Sequence, residues 1–263
     1  MYDFHIHSIY SPNCRYSIEK MTKHAIEKKM RLIYFADHFE LNNQKNEDMT
    51  FDLSEYKKEI QRVNKKYTGI EVLSGLELDA GEHQLSRFNQ MIDPINLDFV
   101  ILSVHKVDGI YLNEERWDLC EDAYKLYESY YSEVLNRIKA FDNFDALGHL
   151  DLIDRYHNGY GGGLEFSRYK NLIIEILRRL IQMDKALEVN TNGYHTQLNR
   201  PFPKTEILTL YRKMGGEKII IGSDAHVPQM IGFRHKGVLN TLKKLGFTYV
   251  TIYRKRIPHM VRI

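Results

Sequence analysis

The feature that most constrains this chain is an alternation of short apolar, β-branched runs with longer stretches of helical period, the pattern of repeated βα units. The predicted strands are Tyr2 to His7, Leu32 to Asp37, Ile70 to Leu78, Leu97 to His105, Phe144 to His149, Ala186 to Asn190 and Lys218 to Asp224, with an eighth at Phe247 to Tyr253. Between them, helices are predicted at Ser17 to Met30, Leu53 to Tyr67, Asp122 to Phe141, Phe166 to Met183 and Thr205 to Met214. Ser17 with Lys20 gives half a capping box, and Ser54 precedes a clean amphipathic run. Parallel strands need crossover connections, and seven or eight consecutive units close most naturally into a barrel of about 250 residues. The chain has 263, so one α/β domain over residues 1–263 is expected, with an open doubly wound sheet as the structural alternative.

Composition narrows the partners. With 43% apolar residues, 27% charged and only 6 prolines, the chain can bury a core. A formal charge of +2 leaves no basic excess for a phosphate backbone, so no nucleic-acid partner is expected. The two cysteines, Cys14 and Cys120, form no Cys-x-x-Cys pair and fit a reducing cytoplasm. Met1 to His5 carry neither a basic leader nor an apolar span, so neither export nor a membrane is expected. Gly161-Gly162-Gly163 lacks the phosphate-loop lysine and reads as a flexible loop. Tyr124, Tyr127, Tyr130 and Tyr131 recur at mostly helical spacing and read as packing. Arg254-Lys255-Arg256 reads as a solvated strand end.

A barrel gathers the residues that follow its strands onto one rim. His5, His7, His38, His105, His149 and His226 all stand there, accompanied by Asp3, Asp37, Glu77 and Asp224. Taken singly, each has an ordinary explanation: a structural histidine, a rim salt bridge for Glu77, a turn cap for Asp224. As a set they are the donors that zinc, manganese and iron take. The spacing of His5 and His7 puts both on one strand face, so two ligands can chelate one ion. Glu77 or Asp224, with two oxygens each, could bridge metals at the roughly 3.5–4 Å of two-metal hydrolases. The residues alone therefore point to a metal-dependent hydrolase.

Asp3-Phe4-His5-Ile6-His7-Ser8, Ala36-Asp37-His38, Gly75-Leu76-Glu77, Ser103-Val104-His105, Gly148-His149-Leu150-Asp151 and Gly222-Ser223-Asp224-Ala225-His226 follow one another along nearly the whole chain. This ordered set resembles the polymerase and histidinol phosphatase family. Ser103 to Gly109, Asp142 to His149 and Glu188 to Gly193 look most like its monofunctional histidinol-phosphate phosphatases. The resemblance implies a distorted (β/α)7 barrel holding two or three divalent ions. His5, His7, Glu77 and Asp224 would form the first site, Glu77, His105 and His149 the second, and His38 and His226 much of the third. Where many relatives place a further histidine or aspartate for the third site, this chain has Asn13, whose amide oxygen is a weaker donor. The family's phosphate-binding arginine matches Arg155. A second family arginine is replaced by His195, leaving His195 itself or Arg200 to supply the charge, with His235 a further candidate.

The activity this implies is hydrolysis of a small phosphorylated substrate, L-histidinol phosphate, to L-histidinol and phosphate in histidine biosynthesis. Tyr111, Glu114, Glu115 and Trp117, on the loop after a ligand-bearing strand, are candidate contacts to the organic part. Three rivals remain. A phosphoesterase of the same family acting on nucleotides would want a basic groove. An amidohydrolase shares the His-x-His strand but wants a bridging carboxylated lysine. A non-catalytic metal module occurs in the family as part of longer polymerases.

Overall fold

In the computed structural model, which describes residues 1–41, 48–81, 84–114, 122–157 and 164–263, seven strands form one parallel sheet. They are β1 (Tyr2–Ile6), β2 (Leu32–Leu41), β3 (Glu71–Ala80), β4 (Phe99–Leu102), β7 (Ala146–Leu147), β8 (Ala186–Asn190) and β9 (Ile219–Gly222). Lys106–Val107 and Ile110–Tyr111 make a small antiparallel pair, β5 and β6. The sheet order is β1-β2-β3-β4-β7-β8-β9, and its two edges meet through His7 N–H donating to Ala225 O (3.0 Å) and Ala225 N–H to His5 O (3.3 Å). A nearly closed seven-stranded barrel results. The open-sheet alternative is thereby set aside. Trp117, Glu115, Cys120 and the glycine run at 161–163 lie outside the described residues.

The helices that cover the barrel are α1 (Ile18–Glu27), α2 (Leu53–Lys66), α3 (Leu85–Ile92), α4 (Ala123–Ala140), α5 (Ile153–His157), α6 (Phe166–Gln182), α7 (Thr205–Lys213) and α8 (His235–Lys244). Ser17 caps α1, its Oγ accepting from Lys20 N–H at 3.2 Å. Helix α2 is capped by Asp52, not Ser54: the Asp52 carboxylate takes both the Ser54 and Glu55 N–H groups, a stronger acceptor placed two residues earlier. Tyr127, Tyr130 and Tyr131 are buried where α4 meets α6, with Tyr131 stacked on Tyr169 at 5.1 Å between centroids.

β2 and β3 run past their predicted ends, to Leu41 and Ala80, whereas β4 falls short of the predicted Leu97 to His105 where side chains take over the backbone bonds. Val100 N–H donates to Asp145 Oδ2 (2.8 Å) and His105 N–H to Asp79 Oδ2 (3.0 Å), so regular pairing stops at β4's two ends. In β1 the register runs Asp3 to Ile33 but Ile6 to Phe35, three residues against two. This bulge re-aims the strand. Phe4 joins the apolar barrel interior while His5 and His7 also reach inside the rim.

That interior is filled by Phe4, Leu32, Tyr34, Ala36, Phe99, Ile101, Ala146, Ala186 and Ile220, and it is plugged from the N-terminal side by Ile252 and Tyr253. The predicted eighth strand is real but not a barrel stave. Tyr249–Arg254 (β10) pairs antiparallel with Ile257–Arg262 (β11). Lys255 and Arg256, read from sequence as a strand end, are the two-residue turn, with φ of 51° and 68°. The turn docks beneath the barrel: Lys255 N–H donates to Asp98 Oδ1 (3.1 Å), Arg254 pairs with Glu71 and Arg256 with Asp145.

Candidate metal centre

Inward positions repeat every second residue along a strand. Above the apolar layer the next inward residues are His38 on β2, Glu77 on β3, Glu188 and Asn190 on β8, and Asp224 just past β9, so the barrel interior turns polar at its C-terminal rim. Glu77 is its centre. One of its oxygens, Oε2, faces His38 Nδ1 at 2.9 Å, His5 Nε2 at 3.3 Å and His7 Nε2 at 3.6 Å. The other, Oε1, faces His149 Nε2 at 2.8 Å and His105 Nε2 at 3.2 Å. Asp224 adds Oδ1 at 3.1 Å from His7 Nε2 and 3.4 Å from His226 Nδ1. All six rim histidines are thus brought together, around two carboxylates. Asn13 stands at the edge, its amide 3.4 Å from His38 Nε2.

The donors are set for cations. His5 Nε2, His38 Nδ1, Glu77 Oε2 and His226 Nε2 are buried without a hydrogen-bond partner, although several lie close to one another. Buried polar atoms are normally satisfied, so lone pairs converging on shared points fit a metal better than a hydrogen-bond network. Four groups of potential ligand atoms lie within 4.8 Å of one another here: His5, His7 and Glu77; His38, Glu77 and His105; His7, His38 and His226; and, behind His105, Glu40, Asp79 and His105.

Burial alone would push the Glu77 and Asp224 carboxyls up, but the surrounding imidazoles outweigh it and hold both well below the usual carboxylate range. His7 is pushed well down by burial and then by His226 and His38. For His5 burial acts downward, and the carboxylates of Glu77, Glu188 and Asp224 more than reverse it. Glu77 and Asp224 are thus held in the ionised form that ligates, while a metal would have to displace the proton that the carboxylates favour on His5.

A second layer orients these rings. The His7 Nδ1 lies 2.9 Å from Ser11 Oγ, which itself donates to Asp37 Oδ1 at 2.6 Å. His105 Nδ1 lies 3.2 Å from Asp79, whose carboxylate is held by the buried Arg137. His5 Nδ1 lies 2.7 Å from Glu188 Oε1. Sequence reasoning singled out none of Ser11, Asp79, Arg137 or Glu188 as a site residue. Glu188 had a signal: an acid in the inward register of Ala186-Leu-Glu-Val-Asn190, a strand with no wet face. Asp3 and Asp37, matched to the rim in sequence, stay out of the cluster around Glu77: Asp3 accepts from Ser223 and Gly232 N–H, and Asp37 from Ser8 N–H and from the Ser8 and Ser11 hydroxyls.

The centre opens into a cavity of about 580 Å³ lined also by Arg155, Tyr156, Tyr111, Leu112 and Asn192. Arg155, on α5, is exposed there, stacked near Tyr156. Tyr111 donates to Glu40 Oε2 at 2.9 Å. The remaining substrate candidates are placed elsewhere. Arg200 is drawn into ion pairs with Asp151 and Asp154, His195 packs against Phe233 with the rings tilted and 4.1 Å between centroids, outside the cavity lining, and His235 is buried against Tyr2 O at the N-terminal end of β1.

Compared with known families, residues 3–192 match the PHP domain. A histidinol-phosphatase of Lactococcus lactis subsp. lactis is 29% identical over 247 residues, 93% of this chain and 91% of that protein. Among solved structures, the histidinol phosphate phosphatase from Lactococcus lactis subsp. lactis complexed with zinc, L-histidinol and phosphate is similar over 98% of each chain, with 27% identity and a TM-score of 0.88.

Proposed function

The chain belongs to the PHP domain family, and from that premise we propose that it is a metal-dependent phosphomonoesterase that hydrolyses L-histidinol phosphate to L-histidinol and phosphate. The observation that carries this reading is the division of labour at Glu77, one oxygen toward His5, His7 and His38 and the other toward His105 and His149, which is how a carboxylate bridging two ions must present itself. The full-length likeness to a phosphatase bound to zinc, L-histidinol and phosphate supports the substrate.

In this reading His5, His7, Glu77 and Asp224 would hold one divalent ion and Glu77, His105 and His149 a second. His38, His226 and Asn13 would serve a third. Zinc, manganese and iron all suit such nitrogen and oxygen donors. Ions held there would supply Lewis-acid stabilisation of phosphoryl oxygens and would acidify a water to a pKa of about 7.

The chain's own residues supply the rest. The Arg155 guanidinium, exposed on the cavity wall, offers a planar fork to the phosphoryl oxygens as charge develops on them. Leu112, Tyr156 and Tyr111 give the organic group an apolar and aromatic surface beside the polar centre. Glu40, tied to Lys106 Nζ and Tyr111 at 2.9 Å each, fixes that wall and backs His105. The net charge of +2 favours a small substrate over a nucleic acid, and the two cysteines fit a cytoplasmic setting. No described helix is long and apolar enough to cross a membrane.

Phosphate release from histidinol phosphate tests the reading. Activity should fall at least tenfold after chelation and return on adding back one of the three metals. Full activity in stripped protein would remove metal from the account.

A further inference from the structure

We propose that Glu188 is a positioning residue that couples the two halves of the metal centre, one carboxylate oxygen fixing the His5 ring and the other fixing the strand end that carries His149. The proposal rests on the metal reading above but not on the identity of the substrate. Glu188 is completely buried. Its Oε1 lies 2.7 Å from His5 Nδ1, and its Oε2 accepts the His149 backbone N–H at 2.8 Å, with Asn190 Nδ2 a further donor at 3.3 Å.

An acceptor at Nδ1 puts the ring proton there and leaves Nε2 as a lone pair. Nε2 is the His5 atom that faces Glu77, at 3.3 Å, with no hydrogen bond of its own. One oxygen of Glu188 therefore selects the ligating tautomer of a residue on the Oε2 side of Glu77. The other pins the backbone of His149, whose ring lies on the Oε1 side at 2.8 Å.

The barrel is built around this carboxylate. A Cβ at Gly222 would stand 2.3 Å from Glu188 Oε1 and 2.5 Å from His5 Cβ, and one at Gly148 would meet Ser103 Oγ at 2.5 Å and lie 3.5 Å from Glu188 Oε2. Gly222, in register with Asn190, thus leaves the room that the Glu188 carboxylate fills, whereas a side chain at Gly148 would collide first with Ser103 and Ile101. Among the described residues no lysine or arginine pairs with it; its ion-pair partner is His5. A buried carboxylate without a cation is costly. Here the His5 ring stands between Glu188 and Glu77, so a cation held at His5 Nε2 would face Glu188 through that ring.

Glutamine at this position makes a sharp test. Glu188 meets a donor at each of its two oxygens, whereas an amide has one acceptor oxygen and one NH2. In Glu188→Gln either the His5 tautomer inverts or the His149 N–H loses its acceptor. Zinc titrated into stripped protein against a chromogenic chelator should bind about 10- to 100-fold more weakly in Glu188→Gln than in the wild type, with the melting temperature of the stripped protein little changed. Glu188→Asp, which keeps both acceptors on a shorter stem, should fall between. A role in packing alone would lower the stripped protein's melting temperature and leave zinc affinity intact, which overturns the proposal. Should the variants fail to fold, 15N NMR of the zinc-loaded wild type decides instead: His5 protonated at Nδ1 supports the proposal and His5 protonated at Nε2 overturns it. Wild type that holds less than one zinc would fail the metal reading itself, a result distinct from wild type and Glu188→Gln binding zinc equally.

Discussion

At the scale of single residues, charge and shape separate cleanly at Glu77. Glu77→Gln preserves volume but removes the ionised oxygens that five imidazoles surround. Turnover should fall more than about a hundredfold, about 2.7 kcal/mol in the transition state, with bound metal falling in step. Elemental analysis and steady-state kinetics on one preparation check this, and near-normal metal content with near-normal rate would remove Glu77 as the bridge. Arg155→Ala should behave differently, because Arg155 touches no proposed ligand and stands in the open cavity. We expect kcat/KM to drop roughly tenfold or more, the scale of removing one charge-assisted hydrogen bond from the transition state, while the metals stay bound. Equal kcat/KM in variant and wild type would return Arg155 to the solvated surface. The ligand-type residues were legible because they end strands and repeat in a family order. Their supports were harder to read: Glu188 and Asp79 act through bonds to residues that only the folded barrel brings beside them, and Ser11, four residues from His7, is fixed there by the distant Asp37.

At the scale of elements, the seven barrel strands could be read because buried parallel strands are near-continuous apolar runs, as in Ile219-Ile-Ile of β9. The bulge in β1 could not, since an extra residue leaves no mark on composition. Nor could the C-terminal hairpin, whose turn residues Lys255 and Arg256 lack the glycine or asparagine that announces such turns. The hairpin nevertheless closes the barrel floor. Tyr253 is 2% exposed, its N–H bonds to Tyr34 Oη (2.9 Å) and its own hydroxyl to Asp145 O (3.2 Å). Truncating it in Tyr253→Ala should remove about 3 kcal/mol and lower the melting temperature by roughly 6–12 °C, with metal stoichiometry intact because the plug sits at the opposite end from the centre. Calorimetry and metal analysis report the two effects separately; lost metal with an unchanged melting temperature would contradict this placement.

For the whole molecule, the barrel is a device that carries six histidines and two carboxylates from distant stretches of sequence to one rim and buries them under a cavity. Such a cluster strains the protein when no cation is present, since buried polar atoms lack partners. Removing metal should therefore lower the melting temperature, and ions at about a thousand times their dissociation constant should restore about 4 kcal/mol. In the proposed reading the centre would supply the chemistry, and the preference among phosphate esters would be set by the cavity walls around Tyr111, Leu112, Arg155 and Tyr156. The most direct test of the central claim is the steady-state kcat/KM of metal-loaded protein for histidinol phosphate, measured against a nucleoside monophosphate and an aryl phosphate. The account predicts that histidinol phosphate is preferred over both by at least tenfold, about 1.4 kcal/mol in the transition state. A tenfold preference for the nucleotide would contradict it.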